Sequence, residues 1–305
     1  MRNRLADSVD YLGTSVGEAI GIDPADVARL TASLRAARQS PHAFGAYYEL
    51  VLALEQDDLD EARRLFDELL SQAPFPRLRI ASIENRPQPE VERYRRMFLD
   101  APELAAEPGP ALLKDCRDRI AAAFALLDAG FPQMAEEIRA LLVEIIIAAG
   151  PDDPKALTFD GASHYMLWGA TLLNARGQAT VLDTAQALAH ESGHNLLFGH
   201  CASGSLADNA DDELFASPLR ADPRPMDGII HAAYVIARMH QTLNRLLAAG
   251  VLDAEQTAAA RADLAAHERN FRAGDGVIRG GARLTELGDG VLAGARDYMA
   301  AAVAA

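Results

Sequence analysis

The sequence predicts a predominantly helical α+β protein with one small β-sheet. Three observations carry that expectation. Apolar residues recur at helical spacing through roughly the first 140 positions. Two short apolar runs, the first rich in β-branched residues, follow between positions 143 and 173. Long amphipathic segments then resume and occupy most of the remaining chain.

Asp23-Pro24 opens one segment as an N-cap followed by proline at the first helical position. Leu59, Ala62, Leu65, Phe66, Leu69 and Leu70 recur at three- and four-residue steps, marking an amphipathic helix. Asn85-Arg86-Pro87-Gln88-Pro89 and Glu107-Pro108-Gly109-Pro110 are breaks, and helices are expected from Ala111 to Ala129 and from Pro132 to about Leu142. Val143 to Ile147, followed by Gly150-Pro151, reads as a buried strand. Tyr165 to Leu173 has the length of a second strand, although apolar runs this short also suit a helix.

A helix from about Thr184 to Gly199 comes next, with Asp183 as cap and Gln186 in the capping-box position. Ala202 to Asp212 is small, polar and acidic, hence a loop. Pro218, Pro223 and Pro225 keep the following stretch extended. Asp227 opens a long helix through about Ala249, and two further helices are expected, broken at Gly274-Asp275-Gly276 and Gly280-Gly281.

The bulk properties narrow the function. The chain has 305 residues, 44 acidic against 29 basic, for a formal charge of -15. That balance argues against nonspecific nucleic-acid binding, which needs clustered cations facing phosphates. Two cysteines, Cys116 and Cys201, are too few for a disulfide-stapled fold, and the first residues lead into no apolar signal segment. The longest apolar run, around Ile145 to Ala149, is too short to cross a bilayer. These readings predict a cytoplasmic protein with no membrane or nucleic-acid partner.

The chemistry points to His190-Glu191-Ser192-Gly193-His194. Residues four apart on a helix share a face, so His190 and His194 can hold one metal ion. Glu191 stands beside them, as the general base does in HExxH zinc proteases, and the expected architecture is a zincin-like metal helix next to the sheet. Three candidates offer a third ligand. His200 has the metzincin spacing but lacks the required glycine three residues after His194, where Leu197 stands. Glu213 lies at a thermolysin-like distance within an acidic loop. His231 sits among Ile229, Ile230, Ala232 and Ala233 and so faces protein; it is the favoured ligand.

Taken together, Trp168-Gly169-Ala170, Asn174, the histidine motif, Ser217 to Pro225, and Gly228-Ile229-Ile230-His231-Ala232-Ala233-Tyr234 resemble the HExxH-type peptide-modification family found beside ribosomal-peptide biosynthesis genes. The similarity spans roughly residues 140 to 245. Where the family often carries an aromatic residue, this chain has Leu219, and the family's second-helix histidine can shift by a turn, to the position of Tyr234. The resemblance implies an iron(II)- and 2-oxoglutarate-dependent dioxygenase that hydroxylates a β-carbon in a precursor peptide. It implies His190, His194 and His231 as metal ligands, with Trp168, Asn174 and Tyr234 as site neighbours. A dicarboxylate cofactor needs a cationic clamp, for which Arg224, favoured over Arg220, is the expectation. The same arginines would equally tie their loop to the acidic stretch from Asp208 to Glu213. The chain thus divides into a helical region over 1–135, for peptide recognition or scaffolding, and a catalytic region over 136–305. Two other readings remain: a zinc metallopeptidase with Glu191 as general base, and a non-catalytic peptide-binding module.

Overall fold

In the computed structural model, residues 1–75, 77–99, 104–152, 159–217 and 222–304 are described. They include eleven α-helices and a small mixed sheet. The chain forms two compact units, each assembled from two stretches: Met1–Leu113 with Leu141–Gly177, and Lys114–Ala140 with Gln178–Ala305. None of the described helices is long and apolar enough to cross a membrane.

The first unit begins with α1 (Arg2–Val16), α2 (Pro24–Ala36), α3 (Pro41–Glu55) and α4 (Leu59–Ser71). The Asp23 carboxylate accepts the Ala25 N–H at the start of α2, so that cap is real. Leu30, Leu34, Phe44, Leu50, Leu65 and Leu69 fill the core of the four helices. β1 (Arg79–Ser82), α5 (Gln88–Phe98), β2 (Glu144–Ala148), β3 (Gly161–Ala162) and β4 (Ala170–Asn174) complete the unit. The sheet order is β1-β2-β4-β3; β1, β2 and β4 are parallel and β3 is antiparallel. Every residue of β2 and β4 is buried, as a strand flanked on both sides requires.

The expected strand from Tyr165 splits into two parts. Tyr165–Leu167 is a 3-10 turn, capped by the His164 ring accepting the Met166 N–H, and only Ala170–Asn174 joins the sheet. Gly169 between them has φ +89, a left-handed conformation that breaks the extended run and suits glycine.

A charged cluster ties the helices of this unit. Arg93 on α5 donates to Glu49 and Glu68 against the His42 ring, and His42 Nε2 lies 2.6 Å from Glu68. The Arg93 and His42 side chains are each 3% exposed.

The second unit holds α6 (Pro110–Gly130) from Lys114 onward and α7 (Pro132–Leu141) to Ala140. It continues with α8 (Val181–Cys201), the two-stranded β5 (Leu214–Phe215) and β6 (Arg224–Pro225), α9 (Met226–Ala248), α10 (Ala254–Gly281) and α11 (Glu286–Ala304). α8 begins a turn earlier than the sequence suggests. Thr180 is its cap and Asp183 its box partner, each side chain accepting the other's backbone N–H. Gln186, expected in that role, instead donates to Asp263 and meets the His267 ring at 2.8 Å. α10 runs unbroken through Gly274 and Gly276, because Asp275 between them pairs with Arg279 at 2.7 Å and Arg296 at 2.6 Å. Only Gly280-Gly281 ends it, as expected.

The buried charge cluster makes the first unit acid-sensitive. Burial alone would raise the Glu68 pKa, but hydrogen bonds from His42 and Arg93 outweigh it and hold the carboxyl well below its usual range. A folded pKa below the unfolded one gives stability that is present above the ordinary carboxylate range and lost as pH falls toward the folded value. Thermal unfolding followed against pH is therefore expected to show the melting temperature dropping below about pH 4. Glu68→Gln should flatten that dependence while lowering stability at neutral pH.

Candidate metal centre

His190 and His194 lie one turn apart on α8, and His231 lies on the first turns of α9. Gly193, directly before His194, lies at the crossing of the two helices. A Cβ placed on it would stand 2.9 Å from Arg238 Cδ and 3.1 Å from Val235 Cγ1, so a larger residue there requires those side chains to shift.

The three imidazoles form a row. His190 Nε2 is 3.1 Å from His194 Nε2, and His194 Nδ1 is 3.0 Å from His231 Nδ1. Phe198, one turn beyond His194, stacks on its ring at 6.2 Å between centroids and also packs on His231. Asp227, one turn before His231, brings Oδ2 to 3.6 Å from His231 Nε2. Burial, reinforced by His190 and His231, pushes the His194 pKa well below its ordinary value. Burial likewise lowers that of His231, against the opposing pull of Asp227. Burial thus favours the neutral form of His194 and of His231.

Whether this set suits a metal turns on His194. It presents Nε2 to His190 and Nδ1 to His231, so the three rings as placed form a hydrogen-bonded relay. Among the described residues no group of three or more His, Cys, Asp or Glu side chains converges on one cation position. Imidazole is a donor type that zinc and iron both accept, and these three rings lie together at one helix crossing, bonded to one another as placed.

The other expected residues fall in different places. Glu191 is 4% exposed within α8. Tyr234 follows His231 by one turn, half-buried, with the Arg238 guanidinium 5.9 Å over its ring. Arg224 lies on β6; its Nη2 is 2.7 Å from Asp222, while its buried Nε has no hydrogen-bond partner among the described residues. Arg220 falls outside the described residues. His200 is exposed at the end of α8. Glu213 is held by Asn209 and by Arg283 at 2.8 Å, as a loop tie.

Trp168 and Asn174 belong to the first unit. Trp168 packs edge-on to Phe44 at 5.6 Å. The Asn174 amide oxygen accepts the Gly150 and Arg176 N–H groups, and its nitrogen donates to the Phe159 carbonyl. Asn174 is thus a turn-binding residue in this fold. The sequence reading missed Phe198, Asp227 and Arg238. The four-residue spacings Asp227–His231 and His194–Phe198 carried the signal for the first two; Arg238 continues the same face of α9.

No protein-family model matches this chain, and no curated protein does.

Gly193→Ala should force Arg238 and Val235 outward. Overpacking of this kind costs about 1–3 kcal/mol, measurable as a lower midpoint in denaturant with an unchanged slope.

Proposed function

We propose that the second unit is a metal-dependent oxygenase, with His190, His194 and His231 holding iron(II) and a peptide as substrate. The observation that carries this reading is the row of three imidazoles spaced by 3.1 and 3.0 Å at a helix crossing. Three imidazoles leave coordination positions open, which suits an ion that must also accept a dicarboxylate cofactor and dioxygen. The choice of iron and 2-oxoglutarate over zinc rests on the resemblance of residues 140 to 245.

When bound, the iron, 2-oxoglutarate and dioxygen supply the oxidation: one oxygen atom enters a substrate C–H bond, and the other converts 2-oxoglutarate to succinate and carbon dioxide. The chain's own residues do the rest. Asp227 lies close enough to His231 Nε2 to bias that ring toward presenting Nδ1 to the metal. Phe198 covers His194 and His231 and limits water on that side. Arg224 offers its unpartnered Nε–H to a carboxylate while Asp222 steadies the guanidinium from the other side. Glu191, buried within α8, orients a ligand histidine or positions the substrate in this reading and is not required to activate water.

Titrating 2-oxoglutarate into anaerobic, iron(II)-loaded protein tests this reading. A visible charge-transfer band is expected, absent in His190→Ala and weakened in Arg224→Ala. No band, with zinc tightly retained, would transfer the site to the peptidase reading. In that case Glu191→Gln would abolish hydrolysis, whereas the oxygenase keeps part of its activity in the same variant. No band in the wild type, with peptide binding kept in His190→Ala/His194→Ala, would leave only a binding module.

A further inference from the structure

A buried histidine of the second unit lies outside the row and touches the two helices that follow its own. His240, on α9, is 2% exposed. Its Nδ1 is 2.8 Å from the Tyr298 hydroxyl on α11, with the two rings edge-on at 5.6 Å. Its Nε2 lies 3.6 Å from Glu268 on α10 and has no hydrogen-bond partner among the described residues. Three helices meet at one ring.

The carboxylate decides where the neutral ring carries its proton. A proton on Nε2 faces the Glu268 charge, whereas a bare lone pair there would be repelled by it. Nδ1 is then the acceptor, and the Tyr298 hydroxyl donates to it. His267, next to Glu268 on α10, disfavours a second positive charge nearby. His267 itself donates from Nε2 to the amide oxygen of Gln186 on α8, whose nitrogen donates to Asp263. On α9, Asn244 and Arg245 bear on the Tyr298 hydroxyl.

A second proton on the His240 ring takes away the acceptor that Tyr298 uses. It also puts a cation in the interior, where Glu268 is 3.6 Å away and its side chain is 34% exposed to competing water. Burial accordingly holds the His240 pKa below its ordinary value, against the pull of Glu268. We propose that His240 is an acid-sensitive joint of the C-terminal helix: the neutral ring ties α11 to α9 through Tyr298, and protonation releases α11. Leu292, Ala295 and Met299 of α11 share a core cluster with Ile229 and Ile230, so release loosens the packing just before His231. The inference rests on no metal assignment.

The closed joint takes up a proton less readily than an opened one. Closure is therefore fully favoured above the ordinary histidine value of about 6.5 and weakens as pH falls below it. Amide hydrogen exchange of the intact protein at about pH 7.5 and about pH 5.5, corrected for the intrinsic effect of pH, tests this. Ordinary carboxylates stay ionised across that interval. Protection of α11 should fall about tenfold, the limit for one proton taken up one pH unit below the ordinary value. Amides of α9 from Val235 to Leu243 should keep theirs. His240→Leu, which cannot be protonated, should remove the pH dependence of α11; if that variant does not fold, the wild-type comparison of α11 with α9 decides alone. Unchanged α11 protection, an equal loss in α9, or the same α11 loss in His240→Leu overturns the proposal.

Discussion

The second unit depends on the close crossing of α8 and α9, where Gly193 faces Arg238 and Val235. Any larger residue at Gly193 requires those two side chains to shift. The same crossing sets His194 on α8 3.0 Å from His231 on α9 and buries Arg238. Packing and the histidine row thus share one contact between helices.

The histidine row passes contacts from His190 through His194 to His231. His194 and His231 resist protonation because burial disfavours the charged imidazolium. Among the described residues the three rings as placed meet one another rather than a common position. Structural metal sites release on the order of 10 kcal/mol on binding, against about 1 kcal/mol for each neutral hydrogen bond, so a cation held by these rings would outweigh the row's own bonding.

Much of this was legible in the chain itself, and the failures have physical causes. His190 and His194 share a face because of the helical repeat alone, and His231 stood out as a lone imidazole among apolar neighbours. The start of α8 was misplaced because Asp183 suits two positions: it reads as a cap but serves as the box partner of Thr180. Gly274 and Gly276 suggested a break in α10, yet the ion pairs of Asp275 with Arg279 and Arg296 override the weak glycine penalty of about 1 kcal/mol each. β1 is four residues with two half-buried, and carries too little alternation to be seen without its partner β2. Trp168 and Asn174 belong to the first unit, where their packing and hydrogen bonds are structural, a placement that neighbouring motifs in sequence do not convey. The two units interleave along the chain, and no linker or shift in composition marks where one gives way to the other.

The central claim is that histidines from two helices bind one ion together. Proton NMR of the cobalt(II)-loaded protein counts them, because each coordinated imidazole gives one strongly shifted, exchangeable N–H resonance. Three such signals in the wild type, falling to two in His231→Ala, are the predicted result. Two or fewer signals in the wild type, unchanged by His231→Ala, would contradict a shared site and leave the row as a hydrogen-bonded relay.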